Sequence, residues 1–301
     1  MKSVFFGFFI TYLILIPIGA KRPNLLFCIS DDQSFVHTRS NGDPVVETPA
    51  FDQVAREGIR FTQAFCDAPT CGPSRSAILT GQPIWRLEEA GNMWSTLPKK
   101  FITYPELLTK VGYSVGFTGK AWSPGRLEAG GRNSNPLGLE FHKRRLVPPF
   151  KGMRHLDYAA NFDDFLKQVK EGQPFCFWLG TSEPHRGYER GAGKRSGKDP
   201  SKVIVPRIFP DNSIVRNDIL DYYIEVEHFD KMVALAIGSL ERMGHLDNTI
   251  LVITSDHGMP FPRAKASLYD AGTHVPLAIR WPDGIRKPGR VSESLLSLIH
   301  I

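Results

Sequence analysis

Acidic side chains follow two apolar runs of this chain, at positions where carboxylates could share a cation. Asp31 and Asp32 come directly after the run at residues 24–29, and Asp256 with His257 comes directly after the run at 249–254. Adjacent carboxylates repel each other unless a cation lies between them, and three carboxylates suit a hard ion such as Ca²⁺ or Mg²⁺. Either acidic group alone could simply cap a loop, but the two together predict a metal site.

A second chemical pattern is the segment CGPSRSAILTG at residues 71–81. Taken alone, Cys71 could be a buried or a reactive thiol. The spacing resembles the signature of the sulfatase family, in which C-x-P-S-R is followed by T-G. A second sulfatase signature is recognisable from Gly112 to Lys120, with Val115 where Ser or Thr is common.

The wider resemblance covers nearly all of the chain after residue 20 and is closest to the heparan N-sulfatase (sulfamidase) branch. It rests on Glu183-Pro184-His185-Arg186, on residues 256–261, and on Leu268-Tyr269 with Gly272-Thr273. The resemblance implies an alkaline-phosphatase-like fold, and it implies that a formylglycine-generating enzyme oxidises Cys71 to formylglycine (3-oxoalanine). A hydrated aldehyde offers one hydroxyl to attack sulfur and a second whose deprotonation expels sulfate. A helix beginning near Pro73 would point its amides at the anion.

The resemblance also implies a role for individual residues. Arg75 would hold the hydrated aldehyde, Lys120 and Lys265 would contact the sulfate oxygens, and His185 would contact sulfate and protonate the leaving group. The cation would be held by the modified Cys71 and by four further residues, Asp31, Asp32, Asp256 and His257.

Three positions depart from the family pattern. His257 stands where close relatives often carry Asn, and an imidazole suits Ca²⁺ less well than an amide oxygen does, so the metal could be Ca²⁺, Mg²⁺ or another divalent ion. Lys265 replaces an Arg and loses its bidentate fork. Trp122 stands two residues after Lys120, where the family usually has His. Either His185 transfers protons alone, or another group such as His274 compensates, although His274 also suits a structural role.

The apolar and helical patterns alternate along the chain. Strands are predicted at 24–29, 113–118, 175–180, 249–254 and 275–281, and helices at 49–57, 105–111, 161–171 and 214–243. This alternation predicts an α/β fold with a mostly parallel sheet flanked by helices. Ligands of such sheets bind beyond the carboxyl ends of the strands. Asp31, Lys120, His185 and Asp256 all follow predicted strands, so we expect them to meet there.

Both ends of the sequence suggest processing or truncation. Lys2, the apolar run 4–18 and Gly19-Ala20 predict a signal peptide over 1–20, hence export to a periplasm, the exterior or a lysosome, with no stable membrane insertion. Residues 21–301 then form an N-terminal sulfatase catalytic domain. The chain stops at Ile301, where a helix is predicted to begin, so we expect that it lacks the C-terminal subdomain of sulfatases. We therefore expect exposed apolar surface near 291–301.

The net charge of +6 is concentrated in two polar stretches, 142–155 and 186–202. Basic loops suit a polyanionic substrate, and without a nucleic-acid module we expect no nucleic acid partner. The sequence therefore predicts a hydrolase that releases sulfate from a sulfated sugar, with N-sulfoglucosamine of heparan-type glycosaminoglycans as the best candidate. Two alternatives stay open. One is a phosphonate or phosphate ester hydrolase of the same fold, and the other is an inactive remnant that binds glycans.

Overall fold

The computed structural model describes residues 21–300, so the predicted signal peptide lies outside the described residues. Strands and helices alternate through most of this range. The strands are β1 Asn24–Ser30, β2 Ile59–Phe61, β3 Ala64–Phe65, β4 Ser114–Gly119, β5 Leu139–Glu140, β6 Phe175–Gly180, β7 Thr249–Ser255, β8 Leu277–Arg280, β9 Arg290–Ser292 and β10 Leu296–Ser297. The α-helices are α1 Pro49–Glu57, α2 Cys71–Thr80, α3 Tyr104–Lys110, α4 Tyr158–Leu166, α5 Ala192–Arg195, α6 Ser213–Arg242 and α7 Asp270–Thr273.

Eight strands form one sheet in the order β5-β4-β6-β1-β7-β8-β2-β9. The five strands from β5 to β7 are parallel to their neighbours, and β1 is the central strand between β6 and β7. The prediction of a mostly parallel sheet is therefore confirmed. Because the strands run in one direction, their carboxyl ends form one edge of the sheet.

The other side of the sheet departs from the predicted alternation. Strand β8 is antiparallel to β7 and to β2, while β9 is parallel to β2. The predicted strand 275–281 is shorter in the structure, where it spans Leu277–Arg280. Antiparallel edges on an otherwise parallel sheet are common, but nothing in the apolar pattern of 277–280 indicates direction.

Helices cover both faces of this sheet. Strand β1 alternates between the two layers: Leu26 and Cys28 face the core shared with α1, α4 and α6, whereas Phe27 and Ile29 face the core shared with α2. A strand buried on both faces is expected to be apolar throughout. Within residues 21–300, no helix combines the length and the apolar character that crossing a bilayer requires.

Two helix starts show where local signals mislead. Helix α1 begins at Pro49 as predicted, but its free amides, those of Ala50 and Phe51, donate to the carboxylate of Asp230 on α6. The predicted helix start at Asn161 is wrong. Helix α4 begins at Tyr158, and the side chain of Asp157 accepts from the Ala160 amide.

The last described residues do not form the predicted helix. Strand β10 pairs with β3, and a short 3₁₀ turn, Leu298–His300, follows it. Leu298 is buried in the core beneath α2, whereas Val291 and Leu295 are exposed.

Candidate active site

The carboxyl ends of β1 and β7 bring the predicted acidic residues together. Asp31 and Asp32 follow β1, Asp256 and His257 follow β7, and each of the four is at most 1% exposed. Asp32 adopts a left-handed backbone conformation with φ of 76°, which Asp tolerates better than most residues. Its amide donates to Asp256 Oδ1 at 3.1 Å, so the two strand ends are tied together.

Cys71, the first residue of α2, faces this acidic cluster. Its Sγ lies 3.4 Å from Asp31 Oδ1, 3.3 Å from His257 Nε2 and 3.9 Å from Asp32 Oδ1. One donor atom from each of these four residues lies within 4.8 Å of the others. Two carboxylates, one imidazole and a side chain at the head of a helix fit a divalent cation, so the donor set agrees with the predicted metal site.

Asp256 is held differently from the other predicted ligands. Its Oδ1 accepts from the amides of Asp32 and His257, and its Oδ2 accepts from Arg75 Nε at 2.9 Å. Asp256 Oδ1 lies 3.7 Å from His257 Nε2, next to the four-residue group but outside it. The structure thus places Asp256 where it can both face a cation and fix Arg75.

Three cations surround the cluster. Lys120 Nζ donates to Asp31 Oδ2 at 2.5 Å, and Lys265 Nζ donates to Asp32 Oδ2 at 2.8 Å and lies 3.6 Å from Cys71 Sγ. Arg75 is fully buried. Lys120 owes its position to Gly119, whose φ is +75° and where a Cβ would lie 1.9 Å from the Gly180 carbonyl oxygen.

The buried charges shift one another's protonation. Burial raises the pKa of Asp31 above its usual value, although the Lys120 ammonium opposes the shift. Burial would also raise the pKa of Asp256, but the charges of His257 and Arg75 hold it well below its usual range. Burial alone would lower the pKa of His257, yet Asp256 and Asp32 raise it far above its normal value. The cluster therefore favours positive charge at its centre.

A cavity of about 970 Å³ opens beside this cluster. It is lined by Asp31, Lys120 and His185, and His185 Nε2 lies 4.0 Å from Asp32 Oδ2. His185 is about half exposed, so it can meet a ligand and exchange protons with water. The other predicted site residues are buried, except Lys120 and Lys265, which are partly exposed.

The ring nitrogens of Trp122 and His274, the two aromatic residues that bear on proton transfer in the sequence, all have hydrogen-bonding partners. Trp122 lines the cavity but is only 4% exposed, and its Nε1 donates to Ser76 Oγ at 2.8 Å. Trp122 therefore fixes α2 to the loop after β4. His274 Nδ1 lies 3.1 Å from Asp270 Oδ1 and its Nε2 lies 3.0 Å from the Thr62 carbonyl oxygen. These contacts fit the structural role for His274.

Two buried acids near the site had no predicted role. Glu183 is buried, and its carboxylate accepts from the Arg154 amide at 2.7 Å and from Tyr158 Oη at 2.7 Å. Glu225 on α6 lines the cavity while only 3% exposed. In the sequence, an acid within a helix such as α6 looks like any solvent-exposed polar residue. Only the helical periodicity, which places Glu225 on the buried face of α6, could have indicated that it is buried.

The fold and this arrangement together define a class of protein. The sulfatase family model matches residues 23–301, so the chain belongs to the sulfatase family. That family generally uses a metal ion and a formylglycine, and the buried Asp31, Asp32, Cys71 and His257 group could bind such a metal.

Two curated proteins show which members it is similar to. N-sulphoglucosamine sulphohydrolase from Homo sapiens is 27% identical over 96% of this chain and 61% of its own length. An ulvan-active sulfatase from Formosa agariphila is 28% identical over 92% of this chain and 52% of its own length. The chain thus spans about half to three-fifths of the curated relatives it matches.

The solved structures support the fold. The phosphonate monoester hydrolase of Agrobacterium radiobacter superposes with a TM-score of 0.73 at 16% identity, covering 92% of this chain and 72% of the other. Its similarity shows that the chain has the fold shared by sulfatases and phosphonate monoester hydrolases, and the predicted alkaline-phosphatase-like fold is confirmed.

Proposed function

We propose that this chain hydrolyses a sulfate ester or sulfamate of a sulfated sugar, using a formylglycine formed from Cys71 and a divalent cation. The proposal covers the substrate class of the human relative, whose name specifies N-sulphoglucosamine. It includes maturation by a formylglycine-generating enzyme and export through the predicted signal peptide at 1–20.

One observation carries the proposal. Cys71 Sγ is 3.3 Å from His257 Nε2, 3.4 Å from Asp31 Oδ1 and 3.6 Å from Lys265 Nζ, so it faces both the candidate metal ligands and the Lys265 ammonium. A nucleophile for sulfate transfer needs that surrounding: one set of groups to stabilise its deprotonated form and another to hold the sulfate oxygens.

The residues around Cys71 then take separate roles. Asp31, Asp32, Asp256 and His257 hold the cation, which when bound lowers the pKa of the nucleophile and polarises the sulfate. Arg75 offsets the charge of the modified Cys71. Lys120 and Lys265, which now donate to carboxylates, would donate to the sulfate oxygens of a bound substrate.

His185 fits the remaining role. A sugar oxygen or nitrogen that leaves from sulfur needs a proton, and His185 is the exposed imidazole lining the cavity near Asp32. Trp122 cannot supply this proton because an indole N–H does not titrate near neutral pH. We therefore assign proton donation to His185 alone.

The deciding experiment joins a mass measurement to an assay. The peptide containing Cys71 is isolated from the full chain expressed with a formylglycine-generating enzyme, and the mass change from thiol to aldehyde is sought. Sulfate release is then assayed on N-sulfoglucosamine, with a phosphonate monoester in parallel. Aldehyde formation with sulfate release supports the proposal. Faster phosphonate cleavage would favour the hydrolase alternative, and a metal-loaded, aldehyde-bearing protein without turnover would favour the glycan-binding remnant.

A further inference from the structure

The cavity beside Cys71 is lined by a second set of charged residues that the proposed chemistry does not use. Arg145 and Arg154 both line it, and both come from the loop at residues 142–156. Both arginines are exposed, and among residues 21–300 neither guanidinium has a carboxylate within salt-bridge distance. By contrast, Arg186, which also lines the cavity, is paired with Asp218 at 2.8 Å and 3.0 Å.

The acids that line the same cavity form no ion pair with the two arginines. Asp31 is paired with Lys120, and Glu140 lies 3.0 Å from His142 Nδ1. Both carboxylate oxygens of Glu183 accept hydrogen bonds, one from the Arg154 amide and one from Tyr158 Oη. Among the described residues Glu225 finds no such donor, and burial raises its pKa to about 8. Within the described residues, the guanidinium groups of Arg145 and Arg154 thus keep N–H donors that no carboxylate of the cavity wall engages.

The 142–156 loop holds these arginines on a fixed backbone. Arg145 forms a β-bridge with Leu156, and the Leu146 amide donates to the His155 carbonyl oxygen at 3.2 Å. Gly152 packs so closely on the next loop that a Cβ there would lie 2.1 Å from the Gly187 carbonyl oxygen. An unpaired arginine on an ordered backbone loses less entropy on binding an anion than one on a free loop.

We propose that Arg145 and Arg154 form a second anion subsite, so that the preferred substrate is a saccharide with two anionic groups. One group is the sulfate to be hydrolysed, and the other is a sulfate or carboxylate held by the guanidinium pair. Guanidinium groups bind both kinds of anion through paired N–H donors. This inference rests on the proposed function, which it extends from a sulfate pocket to a substrate class.

The test measures binding without turnover, in the full chain carrying Cys71→Ala. Three probes are titrated by calorimetry: glucosamine N-sulfate, glucosamine N,6-disulfate, and a disaccharide of N-sulfoglucosamine and a hexuronate. We expect the second or the third to bind about 10- to 100-fold more tightly than the first, the range for a charge-assisted contact. The arm that gains identifies sulfate or carboxylate as the second anion.

Variants then locate the effect. Arg145→Gln and Arg154→Gln are expected to reduce that preference, and the double variant is expected to abolish it. Lys143→Gln and Lys151→Gln remove charge from exposed positions in the same loop that do not line the cavity, and they should keep it. Equal affinity for all three probes, or a preference that survives the double variant, would overturn the proposal. If the Cys71→Ala chain prefers a doubly anionic probe, and the double arginine variant does not, while the wild type releases no sulfate, only the proposed function would be contradicted.

Discussion

Two sets of charged side chains lie in or beside one cavity, and they are held in opposite ways. Around Cys71, Arg75, Lys120 and Lys265 each lie 2.5–2.9 Å from a carboxylate oxygen, and the carboxylates are buried. On the 142–156 loop, Arg145 and Arg154 are exposed and lack such partners within the described range. Buried, mutually paired charges are rigid before any ligand arrives. Exposed, unpaired charges can form their ion pairs with the ligand itself. The first set therefore suits catalysis, and the second suits substrate recognition.

If catalysis depends on the buried set alone, Cys71→Ala should abolish turnover. Turnover should fall by on the order of 10³-fold or more, because a nucleophile has no substitute. The fold should stay near native, since the lost atom is small, with unfolding free energy changed by about 1–2 kcal/mol at most. Sulfate release and thermal unfolding measure the two effects, and a Cys71→Ala chain that keeps its activity would refute the mechanism.

Asp256→Asn breaks the buried set at the residue that links metal and arginine. We expect bound cation and activity to fall together, by more than the ~10–100-fold that follows loss of a residue supporting a metal ligand. Elemental analysis of the purified protein gives the metal content. Asp43→Asn is the matched control, because Asp43 is a buried acid that contacts His37 away from the cluster. Full activity in a metal-free Asp256→Asn protein would contradict this role.

His185→Gln separates proton transfer from sulfate binding. We expect kcat to fall about 10²-fold on a sugar substrate, at the low end of general acid catalysis because His185 is half exposed. The leaving group of an aryl sulfate with an acidic phenol needs no proton, so kcat on that substrate should fall much less. His155→Gln, on the exposed surface of the 142–156 loop, is the control. Equal losses on both substrates would assign His185 to binding.

Glu225 lies in the same cavity but belongs to neither set, and its effect should appear in stability. Burial, with the nearby Glu183, raises its pKa to about 8, so the folded state binds a proton that the unfolded state releases. His228 lies one turn further along α6 and Arg154 lines the same cavity. Stability from this group is present at low pH and is lost as pH rises toward 8, by up to ~1.4 kcal/mol per pH unit between about pH 5 and 8.

Glu225→Gln does not titrate and tests that slope. Its free energy of unfolding should exceed that of the wild type increasingly as pH rises from about 5 to 8, as chemical denaturation at several pH values would show. Parallel pH profiles for the two proteins would mean that Glu225 is ionised in the fold. Asp221→Asn, with a carboxylate that accepts from the Gly191 and Gly193 amides, is a second acid of α6 for comparison.

The sequence predicted the part of the fold that is periodic and local. Residues 24–29 and 249–254 are apolar throughout because they are buried on both faces, and that pattern sufficed to place Asp31 and Asp256 at one edge of the sheet. The start of α4 was assigned to the wrong cap, because Asn161 and the Asp157 that does cap the helix are both favourable capping residues. The direction of β8 escaped because it depends on partners distant in sequence. The cap of α1 likewise comes from Asp230, which is far along the chain.

The same limit applies to the site. The sequence could place Cys71, Asp31 and His257 in one site because they match one family pattern. The structure brings Asp31 Oδ1 and His257 Nε2 within 3.4 Å of Cys71 Sγ. Glu183, Tyr158 and the unpaired state of Arg145 could not be found, since hydrogen bonding and the lack of it are not written in residue type. The predicted signal peptide and domain boundaries stay predictions.

The burial of Cys71 sets an order of events. At 2% exposure its sulfur is closed to a second enzyme, so the proposed conversion to the aldehyde would have to precede folding. Lys265, which completes the surroundings of Cys71, is made about 190 residues later, roughly 10–40 s at ordinary rates of synthesis. If Cys71 is modified as proposed, its modification would compete with chain elongation and folding, so slower elongation or delayed translocation would raise the modified fraction without any change in the finished protein.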